Sequence, residues 1–283
     1  MITSLSVTIV VNNFVSRSGM KGEHGLSLLI DIEQDNQKRK ILWDTGQTAE
    51  ILLFNLHSLN VKIPEISSVI LSHGHYDHTG GLLELLDRSG GDVEVLASPF
   101  AWDNRFNNSQ DLKEIGAQLT PDNIFSHGGV YRAIDGPFQI LEKLVVSGPI
   151  PKIEPCETNH TFLRSSGSGL TLDKFEDDMA LVVDLGVQGI FIVTGCCHSG
   201  IINTIRHCMK ITGNNTIKGV LGGLHLINAD SQRLMKTLDF LKDIDCDFVA
   251  PIHCSGFEAT CFLRRELGDA VKFPGAGETF RII

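Results

Sequence analysis

The segment His73-Gly74-His75-Tyr76-Asp77-His78 places three imidazoles and one carboxylate within six residues. It follows the apolar run Val69-Ile70-Leu71 after one serine, and that run predicts a buried strand. The pair Gly80-Gly81 comes shortly after the segment. A tight loop at the end of a strand lets neighbouring side chains turn toward one point outside the sheet. Imidazole nitrogen and carboxylate oxygen suit Zn²⁺ and also Mn²⁺ or Fe²⁺. The segment therefore predicts a site for one or two divalent metal ions, with zinc as the expected metal.

Outward from this segment, apolar and alternating runs predict strands along much of the chain. We expect strands at Leu5–Val11, Leu26–Ile32, Lys40–Trp43, Ser68–Leu71, Asp92–Ala97, Ala180–Asp184, Ile190–Val193, Ile217–Leu221 and Phe248–Pro251. Helical spacing of apolar residues predicts helices at Leu82–Leu86, Ile201–Ile211, Ser231–Leu241 and Glu258–Leu267. Strands fill the N-terminal quarter and alternate with helices in the C-terminal third, which predicts a layered α/β chain.

The stretch 100–178 differs from its surroundings. It is rich in Gly, Pro, Asn and Ser and shows little periodicity, and its run Arg164–Gly169 is predicted as a loop. We predict a single domain over residues 1–283 in which 100–178 is an insertion. Such an insertion can be a lid or a substrate-recognition element over the site. The alternative is an ordinary surface insertion without a functional role.

Composition excludes several classes of function. The 283 residues carry a formal net charge of −10 and no clustered Lys/Arg run, so we expect no nucleic-acid partner. Apolar residues make up 42% of the chain, which is enough for a sizeable core. No apolar run approaches the roughly 18 residues that span a bilayer, so we expect no membrane partner. Without a signal peptide, the seven cysteines are expected to be reduced thiols of a cytoplasmic protein. The oligomeric state stays open.

Several segments resemble a known family. The motifs Leu71–Gly81, Leu42-Trp43-Asp44-Thr45-Gly46 and Pro251-Ile252-His253-Cys254 resemble those of the metallo-β-lactamase superfamily. The segments Gly25–Ile30, Thr194–Gly200, Gly222–Leu226 and His253–Gly256 resemble a subgroup related to the dihydropterin-ribofuranosylaminobenzene-5′-phosphate synthases. The resemblance implies a four-layer αββα sandwich, in which two sheets face each other, helices lie outside and metals bind at one edge.

The resemblance also implies a ligand set, with one departure from the family pattern. Cys196 stands where other members carry a bridging aspartate, and His198 follows two residues later. We expect His198 to join the first two histidines of the segment, His73 and His75, around one ion. The remaining ligands, expected around a second ion, are Asp77, His78 and His253. Cys196 is either a thiolate ligand or, as we prefer, a small residue beside the site that does not bind metal.

Three polar residues are assigned supporting or catalytic roles. Asp44 ends a strand and is expected to accept a hydrogen bond from a ligand imidazole, which fixes the tautomer of that imidazole. Asp77 is expected to orient the attacking water if it is not fully engaged as a metal ligand. His225 follows two glycines at a strand end and is expected either to act on the substrate as an acid or base or to be structural.

A seat for an anionic substrate group is predicted beside His198. The backbone N–H groups of Ser199 and Gly200 precede the predicted helix Ile201–Ile211, and helix N-termini bind phosphate and carboxylate groups. Lys152 is a candidate cation for the same group, with an ordinary solvated lysine as the alternative.

These residues support three readings of function. The first is a metal-dependent hydrolase that uses a metal-activated water on a small molecule, with or without a phosphate group. The second, implied by the subgroup, is a transferase that joins a dihydropterin-methyl diphosphate to a ribofuranosylaminobenzene phosphate. The third is a non-catalytic metal or ligand sensor, for which the missing bridging aspartate is the main support.

Overall fold

The computed structural model describes residues 2–157, 161–167 and 169–283, so Ser168 of the predicted loop lies outside the described residues. The chain divides into two compact units. Unit 1 comprises Met1–Ile134, His160–Asp177 and Gly275–Ile283, and unit 2 comprises Asp135–Asn159 and Asp178–Pro274. The stretch 100–178 contributes residues to both units.

The strands are β1 (Ile2–Val11), β2 (Ser27–Gln34), β3 (Gln37–Trp43), β4 (Ile66–Ile70), β5 (Val93–Ala97), β6 (Arg105–Asn107), β7 (Lys113–Glu114), β8 (Gly129–Ala133), β9 (Phe138–Leu141), β10 (Leu144–Val146), β11 (Phe162–Ser166), β12 (Gly169–Leu172), β13 (Ala180–Asp184), β14 (Ile190–Thr194), β15 (Ile217–Gly223), β16 (Phe248–Ile252) and β17 (Thr279–Arg281). The α-helices are α1 (Ala49–Ser58), α2 (Tyr76–Thr79), α3 (Leu82–Ser89), α4 (Pro121–Ser126), α5 (Ile201–Thr212), α6 (Ser231–Asp243) and α7 (Phe257–Leu267). Short 3₁₀ helices cover Ile63–Glu65, Pro99–Trp102, Pro155–Glu157, Gly186–Gln188, His253–Ser255 and Gly268–Ala270.

Unit 1 is built on a sheet with strand order β17-β1-β2-β3-β4-β5-β8. The strands from β17 to β3 pair antiparallel, whereas β3, β4, β5 and β8 run parallel. Leu42, Val69 and Val95 on these parallel strands are fully buried and share a core cluster with Leu52 of α1 and Leu82 of α3. Parallel strands bring their carboxyl ends to one edge of the sheet. The segments that follow β3 and β4 therefore meet at that edge.

A second sheet of unit 1, with strand order β12-β11-β6-β7, lies within the stretch predicted as an insertion. Its β11 and β12 form an antiparallel hairpin in which Arg164 pairs with Thr171 and Ser165 with Leu170. The prediction of a loop over Arg164–Gly169 was therefore wrong for most of its length. Backbone hydrogen bonds between neighbouring strands hold this hairpin, and such bonds require no apolar alternation.

Unit 2 is built on a sheet with strand order β16-β15-β14-β13-β10-β9. The strands β14, β15 and β16 run parallel, and the pairs from β14 to β9 are antiparallel. Ile192, Val220 and Val249 are buried on the parallel strands and share a core cluster with Ile205 of α5 and Leu238 of α6. The carboxyl ends of these three strands lie at one edge, where the polar motifs of the C-terminal third follow them.

Helix ends follow local sequence signals. The Thr48 hydroxyl accepts the Ile51 N–H at 3.3 Å where α1 begins, and Asp230 accepts the Arg233 N–H at 2.8 Å where α6 begins. Gly213, with a φ of 69°, ends α5 in the left-handed conformation that glycine adopts at helix ends. Within the described residues, no helix is both long and apolar enough to cross a membrane.

Candidate metal centre

The predicted metal segment, residues 73–78 and called the histidine loop below, begins three residues after β4 and runs into α2. Its four expected ligands, His73, His75, Asp77 and His78, are all buried. The ring centroids of His73 and His75 are 4.6 Å apart, and those of His73 and His78 are 4.2 Å apart. Unit 1 therefore gathers the three imidazoles of the segment into one cluster.

Asp44 supports this cluster from the end of β3. Its fully buried carboxylate accepts the Ser72 N–H at Oδ1 and the Ser72 hydroxyl at Oδ2, each at 2.7 Å. Oδ2 also lies 2.7 Å from Nδ1 of His78. A carboxylate partner fixes the proton on Nδ1, which leaves Nε2 of His78 with a lone pair. Asp44 therefore pairs with an imidazole of the histidine loop, and its role beside a bound metal stays a prediction.

The geometry of His73 and His75 fits a divalent metal ion. Since the Ser72 hydroxyl donates to Asp44, it accepts from Nδ1 of His73 at 2.8 Å and leaves Nε2 of His73 with a lone pair. That Nε2 lies 3.0 Å from Nδ1 of His75, whereas two nitrogens bound to one zinc ion lie about 3.3 Å apart. Burial, together with the neighbouring imidazoles of His78 and His75, holds the pKa of His73 well below its usual value. The neutral ring can therefore serve as a ligand.

The carboxylate of Asp77 lies between two imidazoles. Its Oδ2 is 3.1 Å from Nε2 of His24 and 3.8 Å from Nε2 of His78. His24 is half exposed and approaches Asn13 with its other ring nitrogen at 3.3 Å. The sequence did not predict this contact with Asp77, because a lone histidine distant along the chain carries no spacing signal. The structure adds it to the polar groups around Asp77.

A buried arginine holds the backbone of the histidine loop. The Gly74 N–H donates to Oδ2 of Asp177 at 2.7 Å, and Oδ1 of Asp177 lies 2.9 Å from Nη2 of Arg105. Arg105 is fully buried and also donates to Asp173 at 2.8 Å. A Cβ on Gly74 would overlap the carbonyl of Ala101, so glycine is required for this close approach. Arg105 and Asp177 carried no recognisable motif, and sequence reasoning missed both.

Two aromatic side chains from the predicted insertion pack against the imidazole of His75. The imidazole lies 5.7 Å from the ring of Phe162 and 6.1 Å from that of Phe175, measured between centroids. Both phenylalanines are buried, and they pack against each other at 5.5 Å. Apolar packing on one face of a ligand imidazole restricts its orientation and excludes water from that side.

The remaining candidate residues lie at the strand ends of unit 2. Cys196 and His198 follow β14, His225 follows β15, and His253 follows β16. The rings of His198 and His225 are 4.4 Å apart, so unit 2 brings these two imidazoles together. The φ angles are 60° at Cys197, 48° at His225 and 52° at His253. Left-handed conformations are uncommon for such residues and cluster at functional sites.

The predicted anion seat beside His198 is already engaged within the protein. The Ser199 N–H donates to Oδ2 of Asp178 at 2.7 Å, and the Gly200 N–H donates to the carbonyl of Cys197 at 2.9 Å. These contacts correct the expectation that the two amides bind a substrate anion. The physical reason is that a buried carboxylate of the chain already satisfies the donor of Ser199.

The first turn of α5 holds a second carboxylate. Glu157 is buried and accepts the N–H groups of Ile202 and Asn203, each at 2.9 Å. Burial raises the pKa of Glu157, while these two amides act in the opposite direction. Lys152, the cation predicted for the same seat, lies partly buried on the segment that leads to Glu157. A helix N-terminus favours negative charge, and here the protein itself supplies that charge.

Comparisons with known proteins show which family and which fold this chain resembles. The family model described as the metallo-beta-lactamase superfamily matches residues 21–158. The 7,8-dihydropterin-6-methyl-4-(beta-D-ribofuranosyl)-aminobenzene-5'-phosphate synthase of Methanocaldococcus jannaschii is 31% identical over 265 residues, which cover 92% of this chain and 90% of that protein. The predicted resemblance to the synthase subgroup is confirmed.

Solved structures show the same fold. A crystal structure described as a metal-dependent hydrolase of the beta-lactamase superfamily has a TM-score of 0.83 and 25% identity, with 98% of each chain covered. The Zn(2+)-bound PqqB of Methylobacterium extorquens has a TM-score of 0.57 at 13% identity, with 97% of this chain and 99% of that chain covered, and shows the fold alone. The predicted fold class is thereby confirmed.

Replacement of Asp44 tests its support of the imidazoles. We expect Asp44→Asn to lower metal affinity about 10- to 100-fold, because the amide cannot accept all the hydrogen bonds that the carboxylate accepts. Asp87→Asn is the matched control, since Asp87 also bonds a histidine, His127, but on the surface. Competition titration with a chelating dye measures both variants. Equal affinities for the two would contradict the assigned role of Asp44.

Replacement of Arg105 tests the buried ion network. We expect Arg105→Met to lower the free energy of unfolding by about 3–5 kcal/mol, because it leaves Asp173 and Asp177 buried without their cation. Arg88→Met, which removes an exposed pair with Glu84, should cost less than about 1 kcal/mol. Urea denaturation measures both changes. A loss for Arg105→Met as small as that for Arg88→Met would reject the network as a support of the loop.

Proposed function

The chain belongs to the metallo-β-lactamase superfamily, and on that premise we propose that it is a metal-dependent hydrolase of a small molecule that carries an ester, amide or phosphate group. The observation that carries the proposal is the 3.0 Å separation of His73 Nε2 and His75 Nδ1 in a buried loop fixed by Asp44. A small-molecule partner, the absence of nucleic-acid and membrane partners, and a cytoplasmic location stay predictions.

The residues of the histidine loop suit hydrolysis. When bound, a divalent ion supplies Lewis acidity that lowers the pKa of water and polarises a substrate oxygen. Asp77 would orient the attacking water and accept its proton, with His24 at 3.1 Å to stabilise the carboxylate. Phe162 and Phe175 would restrict the access of bulk water to His75.

We keep the ligand set that the sequence predicts. It places His73, His75 and His198 around one ion, and Asp77, His78 and His253 around a second. Imidazole and carboxylate donors in this number suit zinc, with manganese or iron as alternatives.

Counting the metal bound by a His198→Ala variant tests this set. We expect the variant to bind fewer ions per chain than the wild-type protein, or to bind them more weakly, because one ion loses a nitrogen ligand. His207→Ala is the control, since His207 lies on α5 and contacts the Ser147 carbonyl at 3.0 Å. Elemental analysis after dialysis gives the stoichiometry. Unchanged stoichiometry and affinity in His198→Ala would remove His198 from the set.

A transferase is the second candidate, and the 31% identity to the synthase of Methanocaldococcus jannaschii favours it. In that reaction an arylamine nitrogen would form a bond to the methylene carbon of a dihydropterin, and diphosphate would leave with the bonding electrons. The amine proton would pass to a base, for which Asp77 is the candidate. Both candidates use the same buried ligands, and they differ in the nucleophile.

Activity of the metal-loaded protein distinguishes the two candidates. A hydrolase releases product from phosphodiester or thioester substrates in water, and removal of metal by a chelator abolishes the release. We expect His75→Ala to lower this turnover by at least about 100-fold, since removing a ligand costs more than removing a residue that only supports one. His57→Ala, an exposed histidine on α1, should leave turnover unchanged.

Two other results would each reject the hydrolase. The protein could instead join a dihydropterin-methyl diphosphate to a ribofuranosylaminobenzene phosphate and hydrolyse none of the phosphodiester or thioester substrates. That result would reject the hydrolase and support the transferase. Metal binding without turnover in either assay would favour the non-catalytic sensor and reject both enzymatic proposals.

A further inference from the structure

Unit 2 gathers two thiols and an imidazole at the ends of three neighbouring strands. Sγ of Cys196, Sγ of Cys254 and a ring nitrogen of His225 all lie within 4.8 Å of one another. The two cysteines are only 4% and 6% exposed. We propose that Cys196, His225 and Cys254 form a site for a thiophilic divalent metal such as zinc. None of the three residues belongs to the ligand set of the proposed hydrolase.

The sheet of unit 2 delivers the three side chains to one place. Cys196 follows β14, His225 follows β15 and Cys254 follows β16, and these are neighbouring parallel strands. Their carboxyl ends lie at the same edge of the sheet, so donors far apart in sequence become neighbours in space. His225 itself and His253, which precedes Cys254, adopt left-handed φ angles of 48° and 52°. Backbone strain of this kind persists only where the surrounding structure fixes it.

Gly223 makes room for the two thiols. A Cβ on Gly223 would lie 2.6 Å from Sγ of Cys254 and 3.2 Å from Cα of Cys196. The Cys254 thiol also donates to the carbonyl of Cys196 at 3.4 Å, which turns it toward the Cys196 residue. Any side chain at position 223 would therefore separate the donors, and glycine allows them to converge.

The donor set matches the chemistry of a soft metal ion. Thiolate sulfur favours zinc over the hard ions that carboxylates select, and sulfur binds zinc at about 2.3 Å and imidazole nitrogen at about 2.0–2.1 Å. Donors around one tetrahedral ion then lie about 3.3–3.8 Å apart, so shifts of about 1 Å or less complete the site. Binding converts two thiols into thiolates and releases two protons per ion. Three protein ligands leave a fourth position open, as in catalytic zinc sites.

Cobalt substitution tests the site in the full-length protein. Cobalt bound to thiolate absorbs in the near ultraviolet by sulfur-to-metal charge transfer, whereas cobalt bound only to nitrogen and oxygen does not. We expect this absorption in wild-type protein, and a loss of most of its intensity in Cys196→Ser and in Cys254→Ser. Cys261→Ser should keep it, because Cys261 is exposed on α7. His75→Ala should also keep it, because His75 is not one of the three proposed donors.

Two results would overturn the proposal. One is the absence of thiolate absorption from wild-type protein loaded with excess cobalt. The other is its loss in His75→Ala, which would assign the thiol to the metal of the histidine loop. X-ray absorption at the zinc edge of wild-type protein needs no variant, and a shell of sulfur at about 2.3 Å is expected. These readouts do not depend on turnover. A negative result would reject the thiolate site and leave the proposed hydrolysis untouched, and a lack of turnover would not reject the thiolate site.

Discussion

The buried carboxylate of Asp44 accepts three hydrogen bonds from the segment that carries the histidines. Two come from Ser72 and one from Nδ1 of His78, each at 2.7 Å. The next residue, Thr45, donates its N–H and its hydroxyl to the carbonyl of His78 at 2.7 and 3.0 Å. One strand end thereby fixes both the start and the finish of the histidine loop. The tautomers of the imidazoles, and so their capacity to bind metal, depend on this anchor.

The same geometry occurs in both units, because the candidate site residues follow parallel strands. Asp44 has a φ of 59°, and Cys197, His225 and His253 have φ angles between 48° and 60°. A left-handed backbone conformation is unfavourable for a residue other than glycine, so contacts with the neighbouring strands must stabilise it. In return, it turns the chain sharply at the sheet edge and points successive side chains in different directions. Regular strands and strained strand ends together determine where the candidate ligands lie.

Much of this architecture was predictable from sequence, because buried strands and amphipathic helices have clear patterns. The strand predicted at Ala180–Asp184 is confirmed at both ends, and β14, β15 and α5 extend their predictions by one or two residues. The helix α1 was missed, since its apolar residues include the exposed Phe54 and form no single stripe. The contacts of Arg105 with Asp177 and of His24 with Asp77 were not predicted, because they are long-range. The amides of Ser199 and Gly200 were assigned wrongly, since sequence does not show which carboxylate folds back onto them.

The central claim is that the histidine loop held by Asp44 is a metal centre. Anomalous diffraction at the zinc edge, on crystals of protein loaded with zinc, tests this claim most directly. The account predicts an anomalous peak about 2.0–2.1 Å from Nε2 of His73 and from Nδ1 of His75. A fully loaded crystal with no peak within bonding distance of either imidazole would contradict it.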